Sequence, residues 1–179
     1  MTIEFRIGVD IADLRSFTNR IKAESPRLAR LAINKALAHS RTVAARKLAA
    51  VKGMPVNAVR KRMKVTKANN RGHGGRLTVL QQRVLASSIG KVAQVKRGEA
   101  SGTPKAGSRR FPGAFIATMP GGHTSIFKRV GRPRLPIKEQ GIPLLPEAET
   151  IVPDIIRRDG ERVFRAEYER LFDVAFPDR

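Results

Sequence analysis

The chain has no cysteine and no tryptophan, and only one tyrosine (Tyr168) and eight phenylalanines among its 179 residues. Without thiols it has no disulfide framework, no thiol catalysis and no cysteine-ligated zinc. Aromatics make up 5% and hydrophobic residues 41%, so the core is expected to be aliphatic, built mainly from Leu, Val, Ile and Ala. No segment approaches the ~20 apolar residues that a membrane-spanning helix needs. The N-terminal MTIEFRIGVD carries Glu4 and Asp10 and does not read as a signal peptide. The expectation is a soluble chain made in the cytoplasm, with no membrane partner. Its length suits a single domain spanning 1–179.

The scarcest feature is negative charge in the middle of the chain. Lys and Arg total 36 against 15 Asp and Glu, a net charge of +21. Residues 1–24 hold four bases and four acids, and residues 139–179 hold six bases and ten acids. That leaves 26 bases and one acid, Glu99, in residues 25–138. A solvated surface ordinarily intersperses both signs, so such a field points to an anionic partner, either nucleic acid or an acidic protein surface.

What is present sorts into elements. TIEFRIGV alternates apolar residues at Ile3, Phe5, Ile7 and Val9, as a short strand or extended arm over 1–10 would. A helix is expected from Ile11 to Ala23. Ser25 and Pro26 read as an N-cap and first-turn proline opening a second helix to Val51. Ala29, Ile33, Ala36, Leu37, Ser40, Ala44, Leu48 and Val51 form its small-residue stripe, with Arg30, Arg41, Arg46, Lys47 and Lys52 left in water. VNAVRKRM follows as a short helix ending near Lys64. KVTKA, RLTVLQQRVL and KVAQVK are β-prone, and residues 97–110, RGEASGTPKAGSRR, are expected to be a mobile loop.

AFIATM and TSIFKRV, joined by PGGH, predict a hairpin over 114–130. Phe115, Ala117 and Met119 would face one way and Ala114, Ile116 and Thr118 the other, with Phe115 at a core-type position. The proline-rich stretch 135–153 reads as an extended connector with room for an edge strand. A C-terminal helix is expected over 153–176, with Pro153 in its first turn, a weak point at Asp159 and Gly160, and Glu161 paired to Arg165. The fold class is therefore α+β: N-terminal helices, a mostly antiparallel sheet of four to five strands with a long hairpin, and a C-terminal helix.

Catalytic equipment is not legible. His39, His73 and His123 lie far apart, and none has a carboxylate at ligand spacing in the sequence. RGHGGR lacks the spacing of a phosphate-binding loop. The expectation is no enzyme, no metal and no cofactor. Residues 49–64 have the small, turn and apolar spacing (Ala49, Gly53, Val59) of a helix-turn-helix with Arg60, Lys61, Arg62 and Lys64 on its second helix. Such a segment would bind DNA with little sequence preference, because base-reading side chains are scarce.

RRFPGAFIATMPGGHTSIFKRVGRPRLPIKEQGIPL, residues 109–143, resembles the minor tail protein Z family of tailed bacteriophages and prophages. The resemblance rests on Arg110, Pro112, Gly113, Ala114, Phe115 and Ile116, then Arg129, Gly131, Arg134, Pro136, Ile137, Ile142 and Pro143. LAINKALAHSRTVAARKLA and VRKRMKV are similar to the family's Ala-rich and basic helices, so the likeness spans residues 30–143.

It implies a virion protein of the tail or neck, assembled in the host cytoplasm. Such a protein completes the head-proximal end of the tail as a homo-hexameric ring. Its partners would be tail terminator, connector or stopper, and tail tube or sheath proteins, with non-specific contact to genomic DNA. Arg60, Lys61, Arg62, Lys64, Arg109, Arg110, Lys128, Arg129, Arg132 and Arg134 are the candidate residues for an assembly or DNA-facing surface.

Overall fold

The computed structural model describes residues 11–69, 74–94, 103–145 and 147–177. Its backbone element is one helix, α1, Ile11–Lys52, which runs through Pro26 without a break. Two N-terminal helices were expected here, with Ser25 as a cap. Instead the Ser25 hydroxyl lies 2.7 Å from the Tyr168 hydroxyl, 143 residues away. An interior proline costs about 3 kcal/mol in an isolated helix. Here the turns after it bury Leu28, Ala32 and Ala36, and that packing carries the helix across the proline. The predicted stripe is the buried face at Ala36, Leu37, Ser40, Ala44 and Leu48, but Val51 is 56% exposed. The expected arm 1–10 lies outside the described residues.

A single-turn helix, α2 (Val56–Arg60), follows and buries Ala58 and Val59. The second helix expected to reach Lys64 stops early because Met63 enters strand β1 (Met63–Thr66), which pairs with β2 (Arg76–Val79). Strand β3 (Val84–Leu85) leads into the short helix α3 (Ala86–Ile89). Strands β4 (Val92–Gln94), β5 (Pro104–Ala106) and β6 (Arg109–Arg110) form a three-stranded sheet. The mobile loop expected over 97–110 is thus corrected in its second half: Ala106 is fully buried, and the backbone of 104–106 pairs with β4.

The hairpin is present as β7 (Phe115–Thr118) and β8 (Thr124–Arg129), closed by the Met119 N–H donating to the His123 carbonyl at 2.9 Å. Strand β9 (Ile137–Glu139) joins β8 as the far edge, and β10 (Gly141–Ile142) returns to pair with β3. One sheet of four to five strands was expected; the strands divide into four antiparallel sheets of two or three. Each strand is only two to six residues long and bounded by turns, so no ladder is long enough to unite them. Their inner faces meet in one aliphatic core around Leu48, Val59, Met63, Val84, Ile126 and Leu144, all at most 1% exposed.

The C-terminal helix begins at Glu147 rather than Pro153: α4 spans Glu147–Ile155, with Glu147 and Glu149 at its positive end. A π-helical turn, Ile156–Gly160, joins it to α5, Glu161–Ala175. The predicted weak point at Asp159 and Gly160 is this turn. A side chain at the buried Gly160 would meet Ser40 Oγ of α1 at 2.9 Å, so glycine permits the helices to close together. Along α5, Phe164, Tyr168, Phe172 and Phe176 form an aromatic ladder with centroid separations of 5.9, 6.2 and 4.7 Å.

Candidate assembly surfaces

The PGAFI segment owes its residue types to local geometry. Gly113 has φ of +69°, and a Cβ there would lie 3.7 Å from the Lys128 side chain on the neighbouring strand. The register then sets Phe115 opposite Phe127 and Ile116 opposite Ile126. Opposed residues share a face, so Ile116 packs with the fully buried Ile126 against the core, while Phe115 joins the other face. Phe115 was expected to be buried. It is half-buried instead, with the Arg129 guanidinium 5.8 Å from its ring centre.

The ten candidate bases fall into two groups with different employment. Arg109 donates to the Lys52 carbonyl at 3.2 Å, near the negative end of α1. Arg62 donates to Gln82 Oε1 at 3.0 Å, and Arg129 covers Phe115. These three hold the fold together as well as carrying charge. Arg60, Lys61, Lys64, Arg110, Lys128, Arg132 and Arg134 are exposed, and none makes an ion pair with a described carboxylate. Residues 130–136 form a loop closed by the Val130 N–H donating to the Pro136 carbonyl at 3.1 Å. It projects Arg132 and Arg134 beside Val130 and Leu135, which are 54% and 67% exposed. Ile137, in β9, is half-buried.

Five acids of the C-terminal segment, Glu147, Asp154, Asp159, Glu161 and Glu167, are engaged in ion pairs within the fold. Glu167 meets Lys35 of α1 at 2.5 Å and Arg170 at 2.8 Å. The hydrogen bond from Arg170, then that from Lys35, pull the Glu167 carboxyl down to about 2, and the bond to Glu167 in turn pushes Arg170 up. Glu147 accepts from Lys52 at 2.6 Å, which lowers its pKa. Lys52, expected in water, is drawn in by this pair. Asp154, Asp159 and Glu161 each pair with an arginine three or four residues on, Glu161 with Arg165 as predicted. These pairs neutralise charge within the C-terminal segment and at Lys35 and Lys52 of α1, and none of them reaches Lys61, Lys64, Arg110, Lys128, Arg132 or Arg134.

The histidines are corrected in one respect. Folding sets His123 Nε2 2.9 Å from Glu139 Oε1, which Ser87 Oγ also approaches at 3.4 Å. Strand pairing of β8 with β9 brings this carboxylate close, a proximity that the 16-residue separation hid. His39 is half-buried on α1, and His73 lies outside the described residues. Among the described residues no group of three or more His, Cys, Asp or Glu could hold a metal ion, and no helix is long and apolar enough to cross a membrane.

The fold and its surfaces define an α+β protein whose exposed charge is largely cationic. More particularly, the chain belongs to the prophage minor tail protein Z (GPZ) family, whose model matches residues 11–161. It is a structural protein of a phage tail and a component of the virion. The match encloses the 30–143 span seen in the sequence and extends through the π-helical turn into α5. No curated protein and no solved structure matches the chain.

Proposed function

We propose that this protein completes the head-proximal end of the tail as a subunit of a ring that joins tail to head and lets DNA pass. The observation that carries the reading is the unequal use of charge. Glu147, Asp154, Asp159, Glu161 and Glu167 of the tail sit in internal ion pairs, while Arg110, Lys128, Arg132 and Arg134 face outward without carboxylate partners among the described residues. Arginine beside exposed Val130 and Leu135 is the composition of a protein contact: an apolar anchor within a charged rim. Its complement would be an acidic surface on a neighbouring neck or tail protein. The hexameric number comes from the likeness to rings at this joint. No chemical step is required of it.

The helix-turn-helix alternative loses its main element, because α2 has five residues and buries Ala58 and Val59. The test of the ring is electron microscopy of a phage deleted for this protein. Unjoined heads and tails, or joined particles that fail to deliver DNA, are expected; normal infectious particles would overturn the proposal.

A further inference from the structure

We infer that the outer face of the β1–β2 ribbon is a contact site for the sugar–phosphate backbone of duplex nucleic acid. In this ribbon Met63, Val65, Leu77 and Val79 take one face, with Met63 buried and Leu77 and Val79 against the core. The register puts Lys64 opposite Thr78 and Thr66 opposite Arg76, and all four are exposed on the other face. Cations and hydroxyls therefore alternate over this face, and the neighbouring Lys61 and Lys67 are also exposed. No acidic residue occurs between Glu24 and Glu99 in the sequence, and none of Lys61, Lys64, Lys67 and Arg76 makes an ion pair with a described carboxylate.

The ribbon is also held rigidly. Asn34 of α1 grips its Ala68 end with two hydrogen bonds, and Gly75 at the start of β2 sits so close to Leu37 that a Cβ there would clash. Presented on a fixed scaffold, the cations would lose little conformational freedom on binding.

Three features select the occupant. Among the described residues, none of the large exposed hydrophobics lies between 57 and 129, so the face lacks the apolar centre that a protein interface uses. Lys and Thr contact phosphate oxygens, and a two-stranded ribbon fits against a duplex groove. No aromatic residue occurs between Phe17 and Phe111, so the ribbon has no platform on which single-stranded bases could stack. Recognition is through the backbone and therefore blind to sequence.

This site deepens the DNA-passage part of the proposed function by naming the surface that touches DNA. It is tested on the isolated full-length protein by fluorescence anisotropy with a short mixed-sequence duplex at salt from ~50 to ~200 mM. K64A/R76A is expected to weaken binding about tenfold and to flatten the salt slope by about two, one per lost phosphate contact. The charge-matched R46A/K47A variant, at two exposed cations of α1, is expected to stay within about twofold of the wild type, and a shuffled duplex to bind equally. Wild-type thermal melting curves for both variants ensure that the comparison is between folded proteins.

Equal weakening by the two variants would overturn the site, since it would reduce the effect to net charge. So would no duplex binding at ~50 mM salt, tighter binding to single strands, or a strong sequence preference. These results are read on purified protein, so they stand apart from the deletion-phage result that decides the ring.

Discussion

The Asn34 side chain treats Ala68 as a strand would. Its Oδ1 accepts the Ala68 N–H at 2.8 Å, and its Nδ2 donates to the Ala68 carbonyl at 3.2 Å. One residue on the long helix thereby satisfies both backbone groups of a buried residue beyond β1 and fixes the angle at which the basic ribbon leaves the core. Asn34→Ala would strand both groups. Leaving buried polar groups unpaired costs ~1–3 kcal/mol each, so the variant should lose at least about 2 kcal/mol in urea unfolding. A loss below about 0.5 kcal/mol would show that the grip is not structural.

Glu167 is the junction between α1 and α5, and its carboxyl is held at about 2 by Arg170 and Lys35. A carboxyl depressed in the folded state stabilises that state above its ordinary value of 4.5, and the benefit fades as pH falls toward 2. Melting temperature should therefore decline on acidification through this window. Glu167→Gln should melt lower at pH 7 and show a shallower decline in acid. Parallel curves for the two proteins would contradict the assignment.

Two glycines of the hairpin region should respond oppositely to alanine. Gly113 sits at φ of +69°, where a Cβ costs about 1–2 kcal/mol, so Gly113→Ala should destabilise by that amount in chemical denaturation. Gly121, in the β7–β8 turn, has open space around it and no such φ, so Gly121→Ala should change stability by less than about 0.5 kcal/mol.

The loop of residues 130–136 stands clear of the core, so Arg132→Glu with Arg134→Glu should leave the melting temperature unchanged. In complementation of the deleted phage the same double variant should fail to restore infectious particles. Full rescue would remove this loop from the assembly surface.

Much of this protein is legible without coordinates, because the relevant physics is local. Alternation alone places the 114–130 hairpin, helical spacing alone finds the Ala36 to Leu48 stripe, and counting alone shows the basic middle between acidic and neutral ends. The PGAFI block, on which the resemblance to the family rests, is constrained locally, because a positive-φ glycine and alternating faces leave few residue choices there.

Other features depend on partners distant in the chain. Ser25 and Pro26 carry the local signals of a helix start, yet Tyr168 and the packing of Leu28 and Ala32 keep α1 continuous, since tertiary burial outweighs one proline. Composition could count the acids but not say whom they neutralise. That was decided when Lys35 and Lys52 met Glu167 and Glu147 across the fold, because an ion pair acts over a few ångströms of space and not over sequence. The sequence by itself determined how much positive charge the protein has. Only the tertiary structure decided which of it remains outside, free to meet a partner.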